Sequence, residues 1–255
     1  HKSRLEFPDG IFCQTGAYTY KTEVNGLAKK RTHRRKRLSQ KTKAMLRLTI
    51  FLMAVAACAL YFAFRQQATQ MPADVPEQIA GIPVHTKYIP QDSQARSGRT
   101  RAIHYVVIHE TDNTGAHATA KAHSAYLQEN CWKEQKSWHY TVDDHEIWHH
   151  LPDNEVGYHA GDSSWKEGGN RNGIGIELCV NQGGNFEQTM RNAAQLTAYL
   201  LLQYHLTIDG VKKHQDFSGK ICPSTIIETN RWQDFLNMVQ EDYTAQQAQR
   251  QQAGA

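Results

Sequence analysis

Seventeen consecutive residues without a charge, Leu48 to Phe64 (LTIFLMAVAACALYFAF), constrain this chain more than any other feature. A run of this length reaches the lower limit for a bilayer-crossing helix, about 17 to 25 residues. Extending it back to Ala44 adds only Arg47, whose stem can lie along apolar surface while its guanidinium reaches the headgroups. On the N-terminal side, Lys29 to Lys43 holds nine basic residues and no acid. On the other side only Arg65 precedes Asp74. Alone, such a basic block would suit a nucleic-acid arm or a solvated tail. Next to an uncharged run it reads as the cytoplasmic flank of a membrane segment, which argues against a nucleic-acid partner. The expected layout is a cytoplasmic segment over 1–43, a transmembrane anchor over 44–64, and everything after about residue 65 outside the cell.

Two other readings of the same run stay open. One is a cleaved signal peptide. The other is a lipoprotein signal, with Val55-Ala56-Ala57-Cys58 as a lipobox and Met45 as an internal start. The apolar stretch ALYFAF continues past Cys58, where a mature lipoprotein would turn polar, and this favours the uncleaved anchor. All three readings export the remainder. A chain that begins on His1 reads as lacking its true start, and residues 1–28 carry no interpretable signal.

Residues 65–85 include Pro72, Pro76 and Pro83 among Gln and Ala, the composition of an extended linker. At the other end TAQQAQRQQAGA (244–255) is low in complexity and is expected to be disordered. A single domain is therefore expected over 86–243. Within it, His104 to His109 and Ile174 to Val180 read as strands, and Trp138–Val142 with Glu146–Leu151 as a hairpin turning at Asp143-Asp144. Ala116–Gln128 has helical spacing. Glu187–Leu206 is amphipathic, with Met190, Ala193, Ala194, Thr197, Leu200, Leu201 and Tyr204 on one side. A last helix is expected to open with Asn230 as its cap and Gln233 three residues on. Strands interleaved with helices predict an α/β domain with a central mixed sheet flanked by helices, preceded by the single transmembrane helix.

Two constellations compete for a metal. His145-Glu146-Ile147-Trp148-His149 spells H-E-x-x-H, which binds zinc only when a helix puts both imidazoles on one face. Here Asp143-Asp144 signals a turn and Pro152 follows closely, so the segment is expected to be a strand. Positions 145 and 149 would then lie about 13 Å apart, too far to share one ion. Solvated residues of a hairpin are the expected reading. His214 and Cys222, eight positions apart across the Gly-containing loop HQDFSGKICP, can close on one ion. His109, ending a buried apolar strand, supplies a third donor, and three protein ligands with an open fourth position are the pattern of catalytic zinc. Of five cysteines, Cys13 would be cytoplasmic and Cys58 in the membrane, leaving Cys131, Cys179 and Cys222 outside. That number is odd, and a thiolate ligand gives the unpaired one a role.

The blocks VVIHETDN, SWHYTVDDHEIWHHLPDNEVGYHAGD, GNRNGIGIELCVN and KKHQDFSGKICP resemble, in order, those of the zinc-dependent N-acetylmuramoyl-L-alanine amidase family, type 2, which includes phage lysozyme-type amidases and is related to the peptidoglycan recognition proteins. The resemblance implies Zn2+ bound by His109, His214 and Cys222, and hydrolysis of the amide between N-acetylmuramic acid and L-alanine in peptidoglycan. Glu177 alternates away from Ile174, Ile176 and Leu178, beside the small Gly175 and Cys179, and the resemblance supports it as general base. Lys220, two residues before Cys222, is the candidate to stabilise an oxyanion. Some relatives carry a catalytic Tyr where this chain has Trp138, which places more weight on Glu177. His139 and His159 fall in matching blocks, as substrate contacts or as buttresses of the zinc shell. Trp165 is a candidate wall of the groove for the peptide stem. The alternatives to a wall hydrolase are a non-catalytic peptidoglycan-binding module of a membrane-anchored protein, and a membrane scaffold using the domain for wall attachment.

Overall fold

The computed structural model describes residues 39–68, 74–163 and 165–253; Cys13 and most of the basic block lie outside them. Taken by itself, the segment expected as an anchor is one helix, α1 (Gln40–Ala68), long and apolar enough over Gln40–Ala59 to cross a membrane.

The remaining elements follow in chain order. Strands β1 (Gln78–Ile79), β2 (Ile82–Thr86) and β3 (Tyr105–Glu110) precede helix α2 (Ala120–Asn130). The hairpin β4 (Tyr140–Val142) and β5 (Ile147–His149) is followed by the short α3 (Gly169–Asn172), then β6 (Gly173–Leu178) and α4 (Phe186–Gln203). Strand β7 (Val211–Lys213), the short helices α5 (Gln215–Ser218) and α6 (Ser224–Glu228), and α7 (Trp232–Ala253) complete the domain.

The strands form one seven-stranded sheet in the order β1-β2-β5-β4-β6-β3-β7. Strand β3 runs parallel to both β6 and β7, and β4 is parallel to β6, whereas β4–β5 and β1–β2 are antiparallel. The mixed sheet expected from the sequence is the observed one. Strand β3, held between β6 and β7, carries the β-branched run Val106-Val107-Ile108, buried on both faces as an interior parallel strand requires. Alternation then sorts the side chains. Val106, Ile108, Ile174, Ile176 and Leu178 join Met190, Leu196, Leu200, Phe235 and Val239 of α4 and α7 in the main core. His109 and Glu177 alternate to the opposite face, where α2 covers a smaller cluster of Ile89, Leu127, Cys131, Trp138 and Leu151.

Three expectations need correction. Strands β1 and β2 lie inside the stretch assigned to a linker, because Ile79, Ile82 and Val84 bury themselves in the main core despite the neighbouring prolines. The tail expected to be disordered from residue 244 is helical to Ala253. Ala, Gln and Arg favour helix, and this last stretch is tied to α4 by Gln246 Nε2 donating to the Gln195 carbonyl and by Arg250 over the Tyr199 ring. Asn230 does not cap the last helix. It sits at φ +57°, where its N–H donates to the Ile227 carbonyl and the next N–H, of Arg231, to that of Ile226; this pair of bonds closes α6 behind it. Cys131 and Cys179 are both buried free thiols.

Candidate metal centre

Three parallel strands deliver three side chains to one edge of the sheet. His109 is the penultimate residue of β3, and its register partner on β6 is Glu177. On the other side β7 leads straight into His214, whose N–H continues the ladder by donating to the Ile108 carbonyl. The C-terminal edge of parallel strands is where open α/β sheets place ligands. The loop after His214 turns back on itself at Gly219, whose φ of +78° suits glycine, and Gln215 N–H donates to the Cys222 carbonyl to close it. Cys222 Sγ thereby reaches the backbone N–H of Glu110, 3.4 Å away. Glu110 itself is buried and accepts from Ser224 Oγ and the N–H groups of Thr225 and Ile226, which locks the chain just beyond the cysteine.

The result is one cluster in which a ring nitrogen of His109, a ring nitrogen of His214 and the Cys222 sulfur lie within 4.8 Å of one another, all three residues buried. The two imidazoles approach Nδ1 to Nδ1 at 3.0 Å. Tetrahedral zinc with bonds of about 2.0 to 2.3 Å needs donors roughly 3.3 to 3.7 Å apart. The chemistry agrees. Burial, with neighbouring histidines, holds His109 well below its usual range, and burial and the Lys220 ammonium lower His214, so both present neutral nitrogens. Burial, with the Glu177 and Asp112 carboxylates nearby, pushes the Cys222 thiol up to about 12, a group that becomes a thiolate only against a cation. Two neutral imidazoles and a sulfur that needs a cation fit zinc.

Glu177 stands beside this cluster, with Oε1 4.0 Å from His109 Nδ1 and Oε2 buried without a hydrogen-bond partner. Burial pushes its carboxyl up to about 8, against the lowering effect of Lys220. Lys220 is half exposed and donates to Asp112 Oδ2 at 2.7 Å. Asp112 occupies the left-handed region, at φ +53°. An ion pair this exposed contributes about 0 to 1 kcal/mol, so an incoming charge can draw the ammonium away. Glu177, His214, Lys220 and Cys222, with Asp112, border a cleft of about 880 Å³, whereas His109 is buried and outside its lining. Trp138 borders the same cleft, its indole N–H donating to Thr141 Oγ1.

The other sequence candidates separate. His159 borders the cleft, and its Nδ1 lies 3.0 Å from His109 Nε2; burial, then the Arg101 cation, pushes it down to about 3. His139 offers nothing to a substrate. Its ring is fully buried, Nδ1 accepts from Gly175 N–H and Nε2 donates to the Glu155 carbonyl. Gly175 does not make room for substrate either, because a Cβ there would stand 2.8 Å from the His159 ring. Trp165 is not in the cleft lining and packs edge-on against Phe217.

H-E-x-x-H lies across the β4–β5 hairpin and its turn, not on a helix. His145 is exposed as expected, but His149 is buried, stacked 4.3 Å over Tyr140 and 3.1 Å from Asp153. Asp153 also accepts from the hydroxyls of Tyr140 and Tyr204. His145→Ala should leave metal content and turnover at wild-type levels. His149→Ala should lower the unfolding free energy by the roughly 1 to 3 kcal/mol of a broken buried polar contact while keeping the metal. Zinc analysis of both variants checks this, and a stripped metal in either would make the motif the true site.

Sequence reasoning missed Asp112 and Asn170. Asp112 carried no signal beyond lying three residues after a ligand; Asn170 could have been suspected from its place in the Gly-rich turn GGNRNG.

The comparison with known proteins agrees with this geometry. The family model described as N-acetylmuramoyl-L-alanine amidase matches residues 99–225, which include every residue of the cluster. N-acetylmuramoyl-L-alanine amidase CwlH of Bacillus subtilis (strain 168) is 37% identical over 163 residues, covering 64% of this chain and 63% of its own. XlyA of the same organism is 40% identical over 148 residues, covering 58% and 48%. The chain thus spans about half to two thirds of the length of these relatives. The solved catalytic domain of XlyA is matched over 99% of its length and 62% of this chain, at 37% identity and a TM-score of 0.58. With nearly all of that domain reproduced at such identity, the chain belongs to the N-acetylmuramoyl-L-alanine amidase family.

Proposed function

We propose that this chain is a membrane-anchored, zinc-dependent peptidoglycan amidase that cuts the bond between N-acetylmuramic acid and L-alanine. The observation that carries the reading is the convergence of His109, His214 and Cys222 beside an unpaired buried carboxylate, at the floor of an open cleft. A zinc ion held by those three residues would supply a Lewis acid that polarises a carbonyl and acidifies water. Glu177 takes the proton of the attacking water and returns it to the departing nitrogen. Lys220, released from Asp112, faces the negative charge that grows on the carbonyl oxygen. Trp138 and the walls of the cleft hold the peptide stem. The first alternative, a binding module that does not cut, is disfavoured by the presence of all three donors together with Glu177 and Lys220.

The nitrogen that leaves is the α-amino group of L-alanine, and the carbonyl stays on the lactyl group of the sugar. Digestion of purified peptidoglycan should therefore release free N-terminal alanine and intact stem peptides, with no new reducing ends, and a chelator should stop it. A glycosidase would give reducing ends, and an endopeptidase would leave the first alanine on muramic acid. End-group labelling and mass spectrometry separate these outcomes, and reducing ends without free alanine would overturn the reading.

The anchor rests on the apolar helix α1 and on the basic residues that precede it. It places the catalytic domain outside the cell, facing the wall. Protease added to intact, wall-stripped cells should remove the domain and leave a short membrane-held N-terminal piece. Full protection until lysis would reverse the orientation, and a lipidated Cys58 at the mature N-terminus would replace the helix by a lipid.

A further inference from the structure

His109 has two ring nitrogens, and both are engaged. Nδ1 faces His214 Nδ1 at 3.0 Å, on the side of Cys222 and Glu177, while Nε2 faces His159 Nδ1 at 3.0 Å. Between two imidazole nitrogens at this distance, one carries the proton and the other a lone pair. If His159 donated, the proton of neutral His109 would sit on its Nδ1, and the nitrogen turned toward His214 and Cys222 could not bind a cation. If His109 Nε2–H donates, Nδ1 is bare and free to ligate. The direction of this one hydrogen bond decides whether the cluster can hold a metal.

We infer that His159 is a positioning residue that accepts the His109 Nε2–H and fixes His109 in the tautomer whose Nδ1 is free for zinc, the His159 turn acting as a brace of the metal centre. The inference rests on the zinc reading above and says what sets its affinity. The surroundings of His159 are arranged to hold its ring in one place. It stands edge-on to His109, with ring centres 5.0 Å apart and planes at 87°. Two glycines make the space: a Cβ on Gly175 would lie 2.8 Å from His159 Cγ, and one on Gly157 3.0 Å from its Cδ2. The backbone is pinned as well, because the buried Asn170 Oδ1 accepts from both His159 N–H and Ala160 N–H at 2.7 Å. Asn170 is carried on α3, whose first N–H groups, of Gly169 and Asn170, donate to Asp162. A histidine ligand whose second nitrogen is held in this way keeps its ring orientation, and loss of such a partner typically weakens metal binding by about 10- to 100-fold.

The test uses the full chain and zinc alone, with affinity read by competition against a chromogenic chelator. His159→Ala should bind one zinc at saturation but about 10- to 100-fold more weakly. His159→Asn, whose Oδ1 stands where the Nδ1 stood and can accept the same proton, should recover most of that loss, which a purely space-filling role would not allow. Gly175→Ala keeps the histidine but drives a methyl into its ring, and should weaken zinc in the same direction; it serves if His159→Ala does not fold. Nitrogen-15 imidazole spectra of the zinc-loaded wild-type chain should show His109 protonated at Nε2. Wild-type affinity in His159→Ala, or a His109 proton on Nδ1 in the loaded chain, would overturn the inference. A wild-type chain that takes up no zinc would instead overturn the metal reading beneath it.

Discussion

His214→Ala should leave the chain without its zinc and without measurable turnover. The cluster has only three protein donors, so removing one leaves His109 and Cys222, and two donors do not hold zinc against a chelator. Wild-type protein should carry about one zinc per chain and the variant close to none. A Lewis acid contributes several kcal/mol at the transition state, so the rate should fall by about a thousandfold or more. The fold should survive, because His214 sits in the edge loop after β7 and contributes nothing to the core packed between the sheet and α4 and α7. Melting curves add a second readout. Zinc binds the folded state, so it should raise the wild-type midpoint and leave the variant unmoved. A variant that retains stoichiometric zinc would mean that the donor set is wrong, whatever its activity.

That cluster was legible in the sequence for reasons that apply to few other residues here. His109 stood out because an imidazole at the end of Val106-Val107-Ile108 has to be accounted for, and Cys222 because it made the exported cysteines odd. The alternation in Ile174-Gly175-Ile176-Glu177 fixed which side of β6 the carboxylate would take, and the core confirms it. Periodicity located the central strands and α4 because burial on one face dictates residue type there. It failed where short segments are held by tertiary contacts. The prolines that made 65–85 read as a linker do not prevent Ile79 and Ile82 from building the edge strand β1 and its neighbour β2, because only Pro83 falls within these strands and both isoleucines are buried in the core. Asn230 looked like a helix cap, but the same short polar side chain is equally suited to the left-handed residue that closes the helix before.

Partners across long sequence separations were out of reach for the same reason. Nothing near His139 in the chain announces that Gly175 N–H and the Glu155 carbonyl will consume both its nitrogens. His139 and His159 sit twenty positions apart in similar contexts, and only the packing makes one a bridge between backbone segments and the other the neighbour of a metal ligand. The H-E-x-x-H string shows the converse. Its helix was rightly excluded by turn residues, yet the burial of His149 against Tyr140 and Asp153 depends on residues that its own spacing cannot specify.

Glu177→Gln should keep zinc and fold while losing turnover by about a hundredfold or more, the usual contribution of a general base. The substitution preserves shape and removes only the ability to take a proton, so metal content and circular dichroism should be unchanged. Its second signature lies in the metal-free protein. Burial raises the Glu177 carboxyl to about 8, above its ordinary value of 4.5. For a group raised on folding, the folded state holds the proton where the unfolded state has lost it. The stability it contributes is therefore complete below about pH 4.5, falls as pH rises toward 8, and is gone above that. Glutamine has no proton to lose, so metal-free Glu177→Gln should match the wild type near pH 4.5 and exceed it in stability at pH 8 to 9. Zinc should reverse the wild-type trend, because a cation beside the carboxylate favours its charged form and brings the base to readiness near neutral pH. Urea titrations of the two metal-free proteins across pH 4 to 9, with turnover measured on the zinc-loaded forms, test both halves. Near-normal turnover in the variant would place the base elsewhere. A stability difference that does not grow with pH would mean that Glu177 is solvated in the folded chain and that its unpaired Oε2 does not face a dry cleft floor.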